Sequence, residues 1–339
     1  MPTQPLIWVL TDDRAGNVAQ ALGVAEALQR PFVSVDIRYT PLARLPNLLT
    51  GARLVGLTPE SRLALAPPWP DLVIAAGRRS APVARWIRRA AIDQGAKPVI
   101  LVQLMNPGLS GAREFDLVAI PRHDCEHPGG DAVNVLRITG AAHRLDAKRL
   151  QSAADTWAPR LAGLPRPYIA LIVGGATHRK PFPVALADDL GRRVHRLAAE
   201  VGGSVLLATS RRTGSAAEQA LLAAVGGPRH AFLWSAGGDN PYVAFLALAD
   251  AVVVTGDSVS MCSEACATTG PVYIYAPQGM VAPKHARLHR ELYGQGMARP
   301  FEQWIEGGRF EDGRHPPLNA AGEVARAIDD VLRRRFFLT

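Results

Sequence analysis

The residue types best suited to chemistry sit in short loops that follow runs of apolar, β-branched residues. The densest is Gly256-Asp257-Ser258, which follows Val252–Thr255, opens a helical stretch at Ser258–Ala267 and precedes a second apolar run, Val272–Tyr275. This spacing predicts strand, turn, helix and strand. Asp257, Ser258 and Ser260 open the helix, where free N–H groups and the positive end of the helix dipole suit a phosphate. Ser and Asp are equally suited to simple capping, so the stretch alone leaves both readings open. Glu264 follows Ser260 by one turn on the same face, placed to accept from ribose hydroxyls while the turn holds phosphate.

Similar loops recur along the chain. "TDDRAGNVAQ" (11–20) carries Asp12 and Asp13, then Gly16 and Asn17 in what reads as a glycine turn before a helix. "VGGATHRKPF" (173–182) carries Gly174 and Gly175, "ATSRRTG" (208–214) carries Ser210, Arg211 and Arg212, and "GGDNPY" (237–242) carries Asn240. Each has a bland reading: a tight turn for Gly174-Gly175, a solvated pair for Arg211-Arg212, a loop residue for His178. Together they set glycines, hydroxyls, Arg and a carboxylate after successive strands, which is what a nucleotide-diphosphate site needs. Asp12 is a candidate general base or an orienting residue, and Asp13-Arg14 a surface pair. His123, next to Asp124 and near His127, is a second candidate base. Those spacings match no standard metal-ligand set, and no Asp-X-Asp sits at a strand end, so neither metal nor cofactor is expected.

The elements that must position these loops alternate from end to end. Strands are expected at Leu6–Thr11, Phe32–Ile37, Leu72–Ala75, Val99–Val102 and Leu117–Ile120, with helices at Ala19–Leu28, Pro82–Ala91 and Ala142–Trp157. A proline-bearing stretch, Ala158–Pro167, reads as a linker. A second series follows: strands at Tyr168–Val173, Ser204–Thr209 and Phe232–Trp234, with helices at Val184–Val201, Ala216–Val225 and Tyr242–Ala249. This is an α/β fold of two Rossmann-like parallel-sheet domains facing a cleft, with ligands beyond the carboxyl ends of the strands. The expected divisions are 1–157, a linker 158–167, a nucleotide-binding domain 168–319, and a last helix at 320–339 returning to the first domain.

Composition narrows the function. Hydrophobic content of 48% and charged content of 20% describe an ordinary globular chain. No apolar run reaches the roughly 18–20 residues of a membrane span, and Pro5–Leu10 reads as a first strand rather than a signal peptide. The three cysteines, Cys125, Cys262 and Cys266, exclude a disulfide framework; the last two, one helical turn apart, read as core residues. A reducing, cytoplasmic setting fits best. Net charge is +8, and of 38 basic residues all but Lys97, Lys148, Lys180 and Lys284 are Arg. Arg grips phosphate and carboxylate in a fork, so the expected partner is an anionic ligand or a membrane surface. Nucleic acid is not expected, with aromatic content at 6% and no recognition motif.

The ordered loops resemble GT-B glycosyltransferases, above all MurG-type enzymes. The matching stretches are Asp12–Asn17, Gly174–Thr177 and Gly256–Glu264. The likeness is closer still to the "elongated mitochondria" mitochondrial-fission family, through "GRRSAP" (77–82), "FDLVAIPRHD" (115–124), "SRRTG" (210–214), "NPY" (240–242) and "TGDSVSMCSEA" (255–265). The resemblance implies a metal-independent transferase using a nucleotide-diphosphate sugar, with Gly174, Gly175, Ser210, Arg211, Arg212, Ser258 and Ser260 at the diphosphate. Glu264 would lie at the ribose and Asn240 near base or sugar. The acceptor is unidentified, with a membrane-associated one in view and the protein then peripheral at the membrane. MurG-type enzymes carry His where Asn17 stands, and Asn cannot serve as a base. Two alternatives therefore stay open: a nucleotide-sugar epimerase, and a non-catalytic scaffold binding a protein partner, as in mitochondrial fission.

Overall fold

A computed structural model describes residues 4–108, 111–124, 132–177, 180–304 and 313–336. Cys125, His127 and His178 lie outside them. The chain forms two compact units, one of residues up to Arg144 together with those from Asn319 onward, the other Leu145–Leu318.

In the first unit the strands are β1 (Ile7–Thr11), β2 (Val33–Asp36), β3 (Leu72–Ala76), β4 (Ile100–Leu104), β5 (Leu117–Pro121) and β6 (Val135–Ile138). All pair in parallel, in the order β2-β1-β3-β4-β5-β6. The helices are α1 (Ala15–Ala27), α2 (Asn47–Thr50), α3 (Pro59–Leu63) and α4 (Ala81–Asp93). Period-two alternation sends Ile7, Val9, Leu72, Ile74, Ile100 and Val102 to one face, and Trp8, Leu10, Val73, Ala75 and Leu101 to the other. Both faces are covered, which is why these strands read as unbroken apolar runs.

The second unit begins with α5 (Ala147–Leu161) and continues through β7 (Tyr168–Ile172), α6 (Val184–Glu200), β8 (Ser204–Ala208), α7 (Ser215–Ala224) and β9 (Arg229–Phe232). Then come α8 (Tyr242–Leu248), β10 (Ala251–Thr255), α9 (Val259–Ala265), β11 (Val272–Tyr275), α10 (Pro283–Gly294) and β12 (Arg299–Pro300). The sheet runs β12-β11-β10-β7-β8-β9, again all parallel. The final helix, α11 (Ala320–Phe336), packs Ala320, Val324, Ile328 and Leu332 into the first unit's core.

Three expectations need correction. The helix expected at Ala142–Trp157 starts at Ala147, where Asp146 caps it by accepting from the Arg149 N–H at 2.7 Å. The preceding backbone lies against α1, so close that a Cβ on Gly23 would stand 2.4 Å from the His143 carbonyl oxygen. The helix also runs through Pro159 to Leu161, four residues into the expected linker, and packs in the second unit rather than the first. Trp157 and Leu161, buried on either side of Pro159, hold that last turn in place. Finally, Gly16 and Asn17 form no separate turn, because α1 begins at Ala15.

Candidate functional site

Each parallel sheet has one place where successive connections leave in opposite directions, and ligands favour the crevice beyond the strand ends there. In the first sheet it falls between β1 and β3, in the second between β7 and β10. The loops carrying Asp12, and those carrying Gly174, Ser210 and Asp257, lie at these two points, whereas His123 and Asn240 follow β5 and β9.

At the second, the loop after β7 closes on the turn after β10. The Gly174 N–H donates to Thr255 Oγ1 at 2.8 Å. The Asp257 carboxylate lies over Gly174, where a Cβ would meet it at 2.4 Å. Gly175 has φ +115°, and a Cβ there would stand 2.3 Å from the Arg212 carbonyl oxygen. Only glycine fits both positions. The loop after β8 completes the wall: the Ala176 N–H donates to the Arg212 carbonyl at 2.9 Å, and Thr213 Oγ1 donates toward the carbonyls of Val173 and Gly174.

The hydroxyls have mostly internal work. Ser210 Oγ donates to the Gly174 carbonyl and accepts from the Arg212 N–H at 3.2 Å. Ser258 caps α9, accepting from the Met261 N–H at 3.4 Å. Asn240 is exposed and accepts from the Tyr242 N–H at 3.0 Å, so its carbonyl opens α8. Arg212 Nη1 lies 2.7 Å from Asp257 Oδ2, an ion pair by distance that lacks hydrogen-bond alignment. Arg211 is exposed and Ser260 half-exposed on the first turn of α9.

What remains unsatisfied defines the site. Among the described residues the N–H groups of Gly175, Arg211, Asp257 and Ser258 have no acceptor, and Gly175 and Asp257 are buried. Buried N–H groups require an acceptor. Glu264 supplies the complementary chemistry: its Oε2 accepts from the Tyr242 hydroxyl at 2.6 Å, leaving Oε1 available. Burial pushes the Glu264 carboxyl above its usual range, while the Tyr242 hydroxyl acts against that shift. Under the turn, His289 Nε2 lies 2.9 Å from the Gly256 carbonyl, and burial lowers its pKa to about 4, so the neutral ring donates. Cys262 and Cys266 are fully buried free thiols, the second pushed up by burial to about 12. Among the described residues no group of three or more His, Cys, Asp or Glu is arranged to hold a metal.

At the first switch point Asp12 gathers donors from three directions. Its Oδ1 accepts from the Arg14 N–H at 2.9 Å, and its Oδ2 from Asn17 Nδ2 at 3.2 Å and Arg79 Nη2 at 3.1 Å. Arg79 also pairs with Asp13 and stacks over the Tyr39 ring, 4.4 Å from its centroid. Gly77, φ +81°, makes room for Asn17, whose Nδ2 would stand 2.7 Å from a Cβ there. His123 is 2% exposed, its Nε2 3.7 Å from Asp124 Oδ1. It lies under the surface directly after β5.

Sequence reasoning missed Tyr242 as the group that orients Glu264, and Arg79 as the partner of Asp12. Tyr242 stands in the quoted "NPY" and Arg79 in "GRRSAP", but nothing local pairs them with residues 22 and 67 positions away.

Comparisons with known proteins give the family and the fold. A family model described as "Mitochondrial fission ELM1" covers residues 15–332. The chain belongs to that family. Mitochondrial fission protein ELM1 of Arabidopsis thaliana is 31% identical over 78% of this chain, which spans 65% of the plant protein's length. An uncharacterized protein, RP120, of Rickettsia prowazekii is 28% identical over 96% of this chain and 98% of its own. Among solved structures, one described as a "putative UDP-N-acetylglucosamine 2-epimerase" from Listeria monocytogenes superposes with TM-score 0.63 at 13% identity, covering 99% of this chain and 98% of that one. Acinetobacter baumannii MurG gives 0.53 at 14% identity, covering 96% and 100%. The Neisseria meningitidis UDP-GlcNAc 2-epimerase, solved bound to UDP-GlcNAc, gives 0.58 at 12% identity, covering 97% and 100%. At these identities the likeness establishes the fold: two Rossmann-like units of the GT-B kind.

Proposed function

We propose that this ELM1-family chain binds a nucleotide-diphosphate sugar at the second unit's switch point and transfers the sugar to an acceptor held by the first. The observation that carries the reading is the set of acceptor-less N–H groups at Gly175, Arg211, Asp257 and Ser258, two of them buried. Backbone donors on neighbouring loops are the kind of group that binds phosphate oxygens. Arg212 is already balanced by Asp257, so exposed Arg211 supplies the uncompensated positive charge and Ser260 a hydroxyl. Glu264 Oε1 accepts from the ribose. Preorganised donors facing the departing diphosphate would stabilise its growing charge during transfer.

In the first unit Asp12 Oδ1, which accepts only the Arg14 N–H, keeps a lone pair for an acceptor hydroxyl. Asn17 and Arg79 hold the carboxylate in place from its other oxygen. Asp12 then takes the hydroxyl's proton as that oxygen attacks the sugar's anomeric carbon and the nucleoside diphosphate leaves. His123 is buried after β5 and Asn240 accepts from the Tyr242 N–H, and the reading gives neither a step in the transfer.

Calorimetry and thermal melting with UDP, GDP and ADP test the donor site. At least one nucleoside diphosphate binds and raises the melting temperature; no response to any at millimolar concentration would defeat the reading. A second reading, a protein-binding scaffold, has one observation in its favour. Where MurG-type enzymes carry His, Asn17 spends its amide on Asp12. The scaffold predicts no release of free nucleoside diphosphate from any sugar nucleotide, and it requires no nucleotide binding. An epimerase instead would convert the sugar nucleotide with no acceptor present.

A further inference from the structure

Between β2 and β3 the chain buries Ile37, Leu57 and Leu65 but turns six other large apolar side chains outward. Helix α2 buries Asn47 and Thr50 yet leaves Leu48 and Leu49 74% and 67% exposed, and α3 buries Ser61 while Leu63 is 82% exposed. This inverts the usual pattern, in which the apolar stripe faces the core. The inward polar groups are occupied. Asn47 Nδ2 donates to the carbonyls of Arg78 and Pro107 at 2.9 and 2.5 Å, its Oδ1 accepts from Arg78, and Ser61 Oγ accepts the Arg38 N–H at 2.8 Å. Leu42, Leu45 and Val55 are exposed as well. These six make up half of the exposed large apolar residues among the described ones.

They share one region, because the segment doubles back on itself. The Thr40 N–H donates to the Gly56 carbonyl at 2.9 Å, and Arg62 Nη2 to the Val55 carbonyl at 3.4 Å. A Cβ on Gly56 would touch Ala43 at 3.0 Å. Scattered exposed leucines are ordinary, whereas a cluster on one short segment marks an interaction surface.

Charge identifies the occupant. Arg44, Arg53 and Arg62 are exposed among these leucines, and none forms an ion pair among the described residues. Glu60 is the one acidic residue between positions 41 and 63. We propose that this face of the first unit docks on an anionic lipid bilayer, its leucines entering the boundary between headgroups and acyl chains and its Arg residues pairing with lipid phosphate. Aliphatic tips on one-turn helices, ringed by uncompensated Arg, match a fluid anionic surface. A protein epitope is built instead around aromatic anchors in pockets. The surface belongs to the first unit and the phosphate loops to the second, and the proposal uses none of the observations behind the nucleotide reading.

Flotation of the full chain with phosphatidylcholine vesicles, with and without about one quarter phosphatidylglycerol, tests it. The protein floats with the anionic vesicles and is released by salt. Leu48→Ser with Leu49→Ser lowers partitioning roughly 10-fold or more, and Arg44→Ala with Arg53→Ala removes the preference for anionic lipid. Ile92→Ser, exposed elsewhere on the unit, behaves as wild type. Melting curves confirm that each variant folds. Leu48→Trp provides a second reading, a blue shift of emission on adding anionic vesicles. Absence of wild-type flotation, or equal flotation of the leucine variant, overturns the proposal. So does concentration-dependent dimerisation that the leucine variant abolishes while no vesicles are bound.

Discussion

Glu264 is gripped by one carboxylate oxygen and offers the other, and that asymmetry sets what its removal should do. Glu264→Ala should weaken nucleoside-diphosphate binding by about 1.5–3 kcal/mol, the range of a hydrogen bond to a charged group. Cys262→Ala, in the core behind it, should lower melting temperature and leave affinity unchanged. Titration calorimetry on both variants checks this, and equal affinities would remove Glu264 from the site. Asp12→Asn preserves shape and removes the basic oxygen. Turnover should fall by roughly 10²-fold or more while nucleotide affinity stays within about twofold. A fully active variant would leave Asp12 an orienting or structural residue. At this scale the residue types were legible: glycines, Arg and a carboxylate follow the strands, and the structure gathers them beside the second sheet's switch point. Their division of labour was not. Ser210 and Ser258 carry the right functional group but spend it inside the protein, and no local pattern distinguishes a hydroxyl facing a ligand from one facing its own loop.

Strands and long helices were legible because burial on both faces writes unbroken apolar runs, and one-sided burial writes a 3.6-residue period. Expectation failed where geometry is set from a distance. Pro159 reads as a linker but sits within α5, held by the burial of Trp157 and Leu161. Half-exposed β6 and the one-turn α2 carry too little pattern to be seen. Under the β10–α9 turn, a Cβ on Gly256 would stand 2.4 Å from the His289 ring, so the turn and α10 fit each other through that imidazole. Because burial lowers the His289 pKa from 6.5 to about 4, the unfolded chain takes up the proton first as pH falls. Its stabilising share is therefore complete above pH 6.5 and declines down to about pH 4, by at most on the order of 3 kcal/mol. His289→Gln should flatten the melting temperature between those limits relative to wild type. Parallel pH profiles would expose an error in this assignment. Gly175→Ala places a Cβ 2.3 Å from the Arg212 carbonyl at φ +115°. It should distort the loop and reduce nucleotide affinity more than Gly163→Ala, whose Cβ meets open space.

For the molecule as a whole, the path of the chain distinguishes the two halves. The second unit is one continuous stretch, Leu145–Leu318, whereas the first is completed only when the chain returns at Asn319. That return was legible in part, since an apolar helical period after residue 319 has to cover something; which face it covers depends on contacts made some 300 residues earlier, as where Arg30 pairs with Asp329 at 2.9 Å. Helix α11 contributes Val324, Ile328 and Leu332 to the core on the α1 side of the first sheet. Burying three such side chains is worth roughly 5–9 kcal/mol, comparable to the 5–15 kcal/mol that holds a typical domain folded. A chain ending at Leu318 should therefore lose cooperative melting of its first unit, while residues 145–318 expressed alone should melt as a single cooperative unit. The isolated second unit should also retain nucleotide binding, since Gly175, Arg211, Asp257, Ser258, Tyr242 and Glu264 all belong to it. Calorimetric scans of the two truncations, with and without the nucleoside diphosphate that binds the full chain, decide the matter. A first unit that melts cooperatively without α11 would show that the helix is an addition to a core already sufficient. A folded second unit that no longer binds would place an essential part of the ligand's contacts in the other half.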